Sequence, residues 1–367
     1  MRFRTVDAPT ARTRSDARSA EHKRERWRLA RFLVVAILAV GLGACGTPGP
    51  GGTAAHPANS SSAPSAQPAA RGQPTHAAHR PPGTWLAASA PVATAVSCAD
   101  PTFCMTITNG SWSVWTGRHW TPPAPLATGG SLVSVSCPTP LFCMATDVSG
   151  NVFQWNGSAW SRPLNLGVRT ALSAVSCPTT TFCEAVGFFG DVLRYSGASW
   201  SHPAVISTIA NSTSANSTSA PTISCASPAF CVVGDGLSQS VFMVAGAWSP
   251  ARLVDPMGRG VLSVSCPTAR FCMAVTKSGD ASLWHAGHWS TPVTVSSHRL
   301  VSVSCPRAGF CVAVGTGHDV ALYSGHWTLT PLPARTEWGG LSAVSCPTVQ
   351  FCLAVSGGPR DFFFHAP

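Results

Sequence analysis

From residue 84 onward, apolar and polar positions alternate in runs of five or six residues, too short for helices and divided by turn-forming residues. The clearest stretch is 132–164. Leu132-Val133-Ser134-Val135-Ser136-Cys137 alternates and predicts a strand, Pro138-Thr139-Pro140-Leu141 a turn, and Phe142-Cys143-Met144-Ala145-Thr146 a second strand. Asp147-Val148-Ser149-Gly150 turns the chain again, Asn151 to Trp155 is a third strand, and Asn156-Gly157 is a strong hairpin signal. Trp160 to Leu164 then reads as a fourth strand, with Pro163 suited to a sheet edge. Four antiparallel strands in about 40 residues make one blade of a β-propeller.

The unit recurs, and cysteines mark each copy. The pairs are Cys98/Cys104, Cys137/Cys143, Cys177/Cys183, Cys225/Cys231, Cys266/Cys272, Cys305/Cys311 and Cys346/Cys352, each with five residues between its members. Seven copies predict an all-β chain folded as a seven-bladed β-propeller of four antiparallel strands per blade. The first strand is small-sided, as Ser-Val-Ser-Cys at 134–137, 263–266 and 302–305, which suits strands crowded near an axis. Aromatic pairs such as Trp115/Trp120, Trp155/Trp160 and Trp284/Trp289 sit on the third and fourth strands, where blades diverge and volume must be filled. Tyr195 and Tyr323 take the first place in two further pairs. The seventh copy lacks a fourth strand, but Gly83-Thr84-Trp85-Leu86-Ala87 matches the Trp-led fourth strands. Residues 84–95 are therefore expected to close the last blade and remove an open sheet edge. A duplicated Asn-Ser-Thr-Ser-Ala within 207–221 predicts a flexible loop between the third and fourth blades.

Charge changes the picture mainly at the N-terminus. The formal net charge is +10, but ten Lys/Arg against four Asp/Glu fall within the first 31 residues. Four arginines (Arg24, Arg26, Arg28 and Arg31) lead into the apolar run Phe32 to Val40 and then Leu42-Gly43-Ala44-Cys45, a secretory-signal pattern. The last four residues resemble a bacterial lipobox, which implies acylation of Cys45 and export on a lipid anchor at the outer face of the cell membrane. An uncleaved anchor and plain secretion are the alternatives; Phe32 to Ala44 is short for a bilayer span. Residues 1–45 are thus expected to be a signal peptide with lipobox, 46–83 a disordered Gly/Pro/Ala/Ser-rich linker, and 84–367 the propeller. No Lys/Arg stripe runs through the repeats, which argues against a nucleic-acid partner.

Export favours disulfides, and each C-x5-C pair brackets a turn between the first two strands, so a bond within each copy is expected. Zinc would need four ligands per site, and no histidine keeps a fixed place beside the pairs. No metal and no cofactor are expected.

Six of the acids occupy one slot, the loop joining second and third strands: Asp147, Asp191, Asp235, Asp280, Asp319 and Asp361. They define a possible ligand face, a ring of carboxylates at one end of the propeller. The weightier expectation is that each satisfies turn backbone in an Asx-turn. His119, His285, His288 and His326 lie in or beside the turn before the fourth strand, on blades too far apart to share a metal, and read as exposed turn polarity. Arg118, Arg162, Arg252 and Arg307 are scattered in the same way.

The phrase S-V-S-C-P-T-x-x-F-C-x-A-V, at 263–275 and at 134–146 with Thr146 for Val, resembles repeats of exported actinobacterial proteins described as WD40/YVTN/BNR-like propellers. Cys225-Ala226-Ser227 in the fourth copy departs from it, so a different hairpin is expected there. The resemblance implies architecture far more than activity. The function expected is a monomeric cell-envelope lipoprotein whose propeller binds or scaffolds a protein or glycan, without catalytic residues. The alternative is a carbohydrate-active enzyme, sialidase-like or lyase-like. The Asp147-x-x-Gly150 turn is loosely similar to a sialidase Asp-box but departs from its residue order, and neither Tyr195 nor Tyr323 stands in an arginine-rich set.

Overall fold

The structure is a computed structural model that describes residues 83–126, 130–168, 171–206, 220–334 and 339–366. The leader, Cys45, the linker and most of the 207–221 loop lie outside the described residues. The propeller falls within one compact unit, His76–Pro367.

Seven antiparallel sheets form, six of them ordered from inner to outer strand along the chain. Blade 2 is Leu132–Thr139, Phe142–Asp147, Asn151–Trp155 and the short Leu164–Asn165. Blade 7 takes its inner three strands from Leu341–Ser345, Phe351–Ser356 and Arg360–His365, and its outer strand from Thr84–Ser89. Six register pairs join that strand to blade 7, from Thr84↔His365 to Ser89↔Arg360. The ring closes as the sequence predicts.

The apolar core is divided into interfaces, because each blade buries both faces against its neighbours. Met105, Ile107 and Val114 of blade 1 pack on Cys137, Cys143, Phe153 and Trp155 of blade 2. Phe271, Met273 and Val275 of blade 5 meet Cys305, Cys311 and Ala313 of blade 6 in the same way.

The seven disulfides form within copies as expected. They are Cys98–Cys104, Cys137–Cys143, Cys177–Cys183, Cys225–Cys231, Cys266–Cys272, Cys305–Cys311 and Cys346–Cys352. Their Cα–Cα distances lie between 3.9 Å and 4.1 Å. Their surroundings add to the sequence reading of staples that bracket the first turn. The second cysteine of every pair, Cys183, Cys272 and Cys352 included, has no exposure at all. Each stands one residue inside the second strand and points between blades, so its sulfur is core rather than an accessible site. Cys183 packs with Phe142 and Met144 of blade 2, Cys272 with Phe230 and Phe242 of blade 4, and Cys352 with Val312 and Val314 of blade 6.

The serine before each first cysteine does more than fit a crowded axis. An innermost strand is an edge, and its outward N–H groups need acceptors. The Ser97 hydroxyl accepts the Cys137 N–H of the next blade at 2.9 Å. The same bond runs from Cys177 to Ser136, Cys225 to Ser176, Cys266 to Ser224, Cys305 to Ser265 and Cys346 to Ser304. Cys98 to Ser345, 2.9 Å, completes the circle. The Ser-Cys dipeptide is thus a belt of seven blade-to-blade hydrogen bonds. Where a second serine precedes it by two residues, as at Ser134, Ser263 and Ser302, a second bond of the same kind forms.

The fourth strands differ from expectation. In blade 2 the strand is reduced to a bridge at Trp160 and the pair Leu164–Asn165. Pro163 has no N–H for the ladder and interrupts it. Ser161 bridges the gap: its own N–H bonds the Gln154 carbonyl at 2.8 Å and its hydroxyl accepts the Gln154 N–H at 3.0 Å. Thr121, Ser201, Ser249 and Ser290 accept in the same way in blades 1, 3, 4 and 5. Blades 6 and 7 have no proline two or three residues after the tryptophan, and their outer strands run unbroken as Trp327–Pro331 and Thr84–Ser89. The fourth hairpin also departs from the common form, as expected. With Ala226 in place of proline, Cys225 and Cys231 pair directly in register, and Cys98 with Cys104 does the same beside Ala99.

Candidate functional site

In an antiparallel blade, the loops between second and third strands share one end of the propeller with the blade-to-blade connectors. The hairpins between first and second strands and the turns between third and outer strands lie at the other. The connector end is the more elaborately built. In blades 2, 3, 5 and 6 the N–H that follows the second strand bonds a connector carbonyl: Val148 to Ser131 at 3.0 Å, Phe188 to Ala171 at 3.1 Å, Lys277 to Gly260 at 3.2 Å and Thr316 to Arg299 at 2.9 Å.

All six predicted aspartates come to this end, one per blade, and five are buried. Asp147 Oδ1 accepts the N–H groups of Ser149 (2.8 Å) and Asn151 (3.0 Å), and its Oδ2 accepts from Asn151 Nδ2 at 2.8 Å. Asp235 Oδ1 holds the N–H groups of Leu237 (3.0 Å) and Gln239 (2.7 Å) in an equivalent turn. Asp280 accepts from Thr294 Oγ1 at 2.7 Å and pairs with Arg259 Nη1 at 2.8 Å. Asp191 opens its third strand, buried; Asp319 does likewise, half-buried. The Asp147, Asp235 and Asp280 carboxylates are taken up by the loops and connectors they stabilise rather than held outward as an open ring.

Asp255, in the connector from blade 4 to blade 5, escaped the slot pattern. It accepts from Met257 N at 2.9 Å and pairs with Arg259 Nε at 2.7 Å. Burial pushes its carboxyl up, but the bonds from Arg259 and Met257 outweigh this and hold it below the ordinary aspartate range. Arg259 therefore ties two buried carboxylates together and fixes the connector.

Asp361 is the opposite case. It is fully buried, and its one protein bond among the described residues is a 3.3 Å contact from the Ser356 N–H to Oδ1. Burial pushes its carboxyl well above the usual range, and that single bond offsets little of it. An acid raised in the folded state stabilises the fold below its unfolded pKa and loses that contribution as pH rises through the folded value. Asp361→Asn keeps an acceptor for Ser356 and removes the titration. The variant should gain stability relative to the parent as pH is raised from about 4 to about 8, seen as diverging melting temperatures. Parallel curves would mean that Asp361 does not titrate in that window.

The loops carried by these buried groups display apolar side chains on neighbouring blades. Val148 (40% exposed), Phe188 (37%), Phe189 (40%), Leu237 (37%) and Met257 (75%) run from blade 2 to the connector entering blade 5. The corresponding loops of blades 5, 6 and 7 are polar: Lys277-Ser278, Thr316-Gly317-His318 and Gly357 to Arg360. The sequence signal for this arc was available. Phe188-Phe189 is an apolar pair inside a turn where no other copy has two large apolar residues in succession.

Other candidates carry less. A groove of 510 Å³ opens on the outer rim between blades 5 and 6, lined by Tyr323, Trp327, Leu283 and Val293. A second, 340 Å³, lies between blades 2 and 3 beside Tyr195. Both stand where tyrosine replaces the third-strand tryptophan. Glu184 and Arg194 form a 2.7 Å ion pair inside blade 3, with Glu184 where other blades place Met105, Met144 or Met273. Burial pushes the Glu184 carboxyl up against the opposing pull of Arg194. The four turn histidines fall at the hairpin end, on blades 1, 5 and 6. Among the described residues, no group of three or more His, Cys, Asp or Glu could hold a metal ion.

The architecture and this loop-built end define the class: a seven-bladed β-propeller with disulfide-stapled blades. No protein-family model matches the chain, and no curated protein matches it in sequence. Solved structures do. The WD40 β-propeller domain of Doa1 superposes with a TM-score of 0.60 at 12% identity, covering 78% of this chain and 96% of that domain. YCF48, solved bound to D1 peptide, superposes at 0.59 and 12% identity, covering 77% of this chain and 96% of its own. At such identity the likeness is one of fold.

Proposed function

We propose that the chain is an exported binding module, tethered to the outer face of the cell membrane through Cys45, that holds a segment of a protein partner across the connector end of blades 2 to 5. The exposed arc Val148, Phe188, Phe189, Leu237 and Met257 carries this reading. Exposed apolar side chains are costly on a mobile loop but useful on a fixed one, where little ordering remains for a partner to impose. These loops are fixed by Asp147, Asp235 and the Asp255–Arg259 pair. An extended peptide with apolar side chains suits the arc better than a glycan, because the carboxylates that would take sugar hydroxyls are turned inward. The peptide on YCF48 is a precedent on the same fold. The partner would be another envelope protein, with this chain acting as a scaffold.

The test is quantitative capture from envelope extracts by the parent chain and by a Phe188→Ser/Phe189→Ser/Met257→Ser variant. A melting temperature equal to the parent's checks that the variant keeps the fold. Removing two or three central apolar contacts should cut recovery of a specific partner about tenfold or more. Equal recovery by both chains would overturn the reading.

A further inference from the structure

The two ends of the propeller differ in charge. Among the described residues, seven aspartates lie at the connector end against Lys277, Arg259, Arg299 and Arg360, a formal −3. The hairpin end has, among the same residues, Asp100 as its one acid, and the Asp100 carboxylate is occupied by the N–H and hydroxyl of Thr102 at 2.7 and 2.6 Å. Against it stand three exposed arginines, Arg118, Arg270 and Arg307, a formal +2. Their distribution is not even. Arg270 is on blade 5, Arg307 on blade 6 and Arg118 on blade 1, so the cations span the contiguous run of blades 5, 6, 7 and 1. The exposed imidazoles in the turns of this end follow the same arc, with His285 and His288 on blade 5, His326 on blade 6, His365 on blade 7 and His119 on blade 1, while exposed His202 lies farther along the outer segment of blade 3. The hairpin-end turns of blades 3 and 4, by contrast, carry Ser, Ala, Thr, Pro and Gly.

The chain enters the propeller in the middle of this arc. Thr84 pairs with His365 at the hairpin end of blade 7, so Gly83 and everything N-terminal to it attach there. Residues 46–83 lead from that point back to Cys45.

We infer that the hairpin end of blades 5, 6, 7 and 1 is a docking surface for an anionic lipid bilayer, where arginine and imidazole groups meet headgroup phosphates beside the point of tethering. The inference deepens the membrane-tethered reading and rests on it. Guanidinium and imidazole N–H groups suit phosphate oxygens, and the turns that carry them are short and can lie on a plane. A tether alone leaves the propeller free to tumble. Adding weak cationic contacts at the end where the tether joins fixes its orientation, and it turns the apolar arc of the connector end away from the membrane.

The experiment uses the full chain reconstituted into vesicles of phosphatidylcholine alone or mixed with phosphatidylglycerol. Flotation reports attachment, and histidine acylation by diethyl pyrocarbonate, read by peptide mass spectrometry at one pH, reports the docked face. His285, His288 and His326 should react several-fold more slowly on the mixed vesicles than on phosphatidylcholine, while His298 and His318 at the connector end react equally on both. The difference should vanish in an Arg118→Glu/Arg270→Glu/Arg307→Glu variant, since each lost cation weakens the contact about fivefold. Equal reactivity on both vesicles, or protection that survives in the triple variant, overturns the docking surface. A chain that floats with neither vesicle overturns tethering and docking together. One that floats with both while its imidazoles stay equally reactive overturns docking alone.

Discussion

Trp85→Ala should lower the stability of the whole propeller by about 3–5 kcal/mol, the usual cost of emptying a large aromatic site. The residue stands second in a strand that comes from the opposite end of the chain to the rest of its blade, yet in packing it is core. Trp85 is buried against Phe364, with ring centroids 5.3 Å apart, and joins the interface of blades 6 and 7 with Val312, Val314 and Leu341. It therefore couples two blades while anchoring the strand that closes the ring. Net stabilities of about 5–15 kcal/mol leave little margin for such a loss. Trp200→Ala makes the control. Trp200 holds the equivalent place in blade 3, but it is only half-buried, and the chain on either side of it already belongs to that blade. Its loss should cost clearly less. Deleting residues 84–89 outright should do more than destabilise. It strips the partner from Arg360–His365 and bares an edge that carries Phe362, Phe363 and Phe364. Self-association through that edge, seen as a concentration-dependent rise in apparent mass, is the expected outcome. Equal unfolding midpoints for Trp85→Ala and Trp200→Ala in urea would show that the closing strand bears no special share of the stability.

Much of this architecture is legible in the sequence because every blade repeats the same alternation, and seven copies make a weak local signal strong. Closure is legible for the same reason: Gly83-Thr84-Trp85 completes a count that otherwise stops short. What escapes the sequence is what depends on geometry between copies. The serine of each Ser-Cys reads as small filler until the next blade, some 40 residues on, is seen to donate to it. The cysteines read as clamps on a turn until Cys183, Cys272 and Cys352 are seen inside the interface with the preceding blade. Proline after Trp160 reads as tolerable at an edge, whereas the chain gives up the strand there and lets Ser161 serve both groups of Gln154. The Glu184–Arg194 pair could have been found from the register that sets these residues opposite one another on adjacent strands. The candidate binding surface is harder still. Its residues share no motif, and Phe188, Leu237 and Met257 become one arc only because the ring sets their loops side by side at one end. Conversely, the aspartate slot was conspicuous in sequence for a structural reason, since a tight loop at the end of a buried strand needs an acceptor for its N–H groups.

The same belt of inner strands makes the disulfides the second large determinant of stability. Each closes a loop of seven residues, for which chain entropy gives about 2.4 kcal/mol, and seven such terms together exceed the net stability of an ordinary domain. They cannot be independent, because each sulfur pair is also part of an interface: Cys311 packs with Phe271, Met273 and Val303, and Cys143 with Ile107 and Phe153. Replacing Cys305 and Cys311 together by alanine should cost about 2–5 kcal/mol, combining the lost cross-link with the cavity left between blades 5 and 6. Burial makes a kinetic prediction as well. The second cysteine of each pair has no exposure and the first at most 9%, so a reductant has little access to the disulfides while the blades stay packed. Treatment with dithiothreitol in native buffer should release no thiols, whereas the same treatment in denaturant should release all fourteen of the described cysteines. The reduced chain should then fail to refold on removal of denaturant until it is reoxidised, because the inner strands lose the staples that set their register against the second strands. Thiol titration during the reduction and near-UV circular dichroism during refolding read the two steps separately. Recovery of the native spectrum with fourteen free thiols would mean that the blades find their register from packing and the serine belt alone, leaving the disulfides to protect a fold they do not specify.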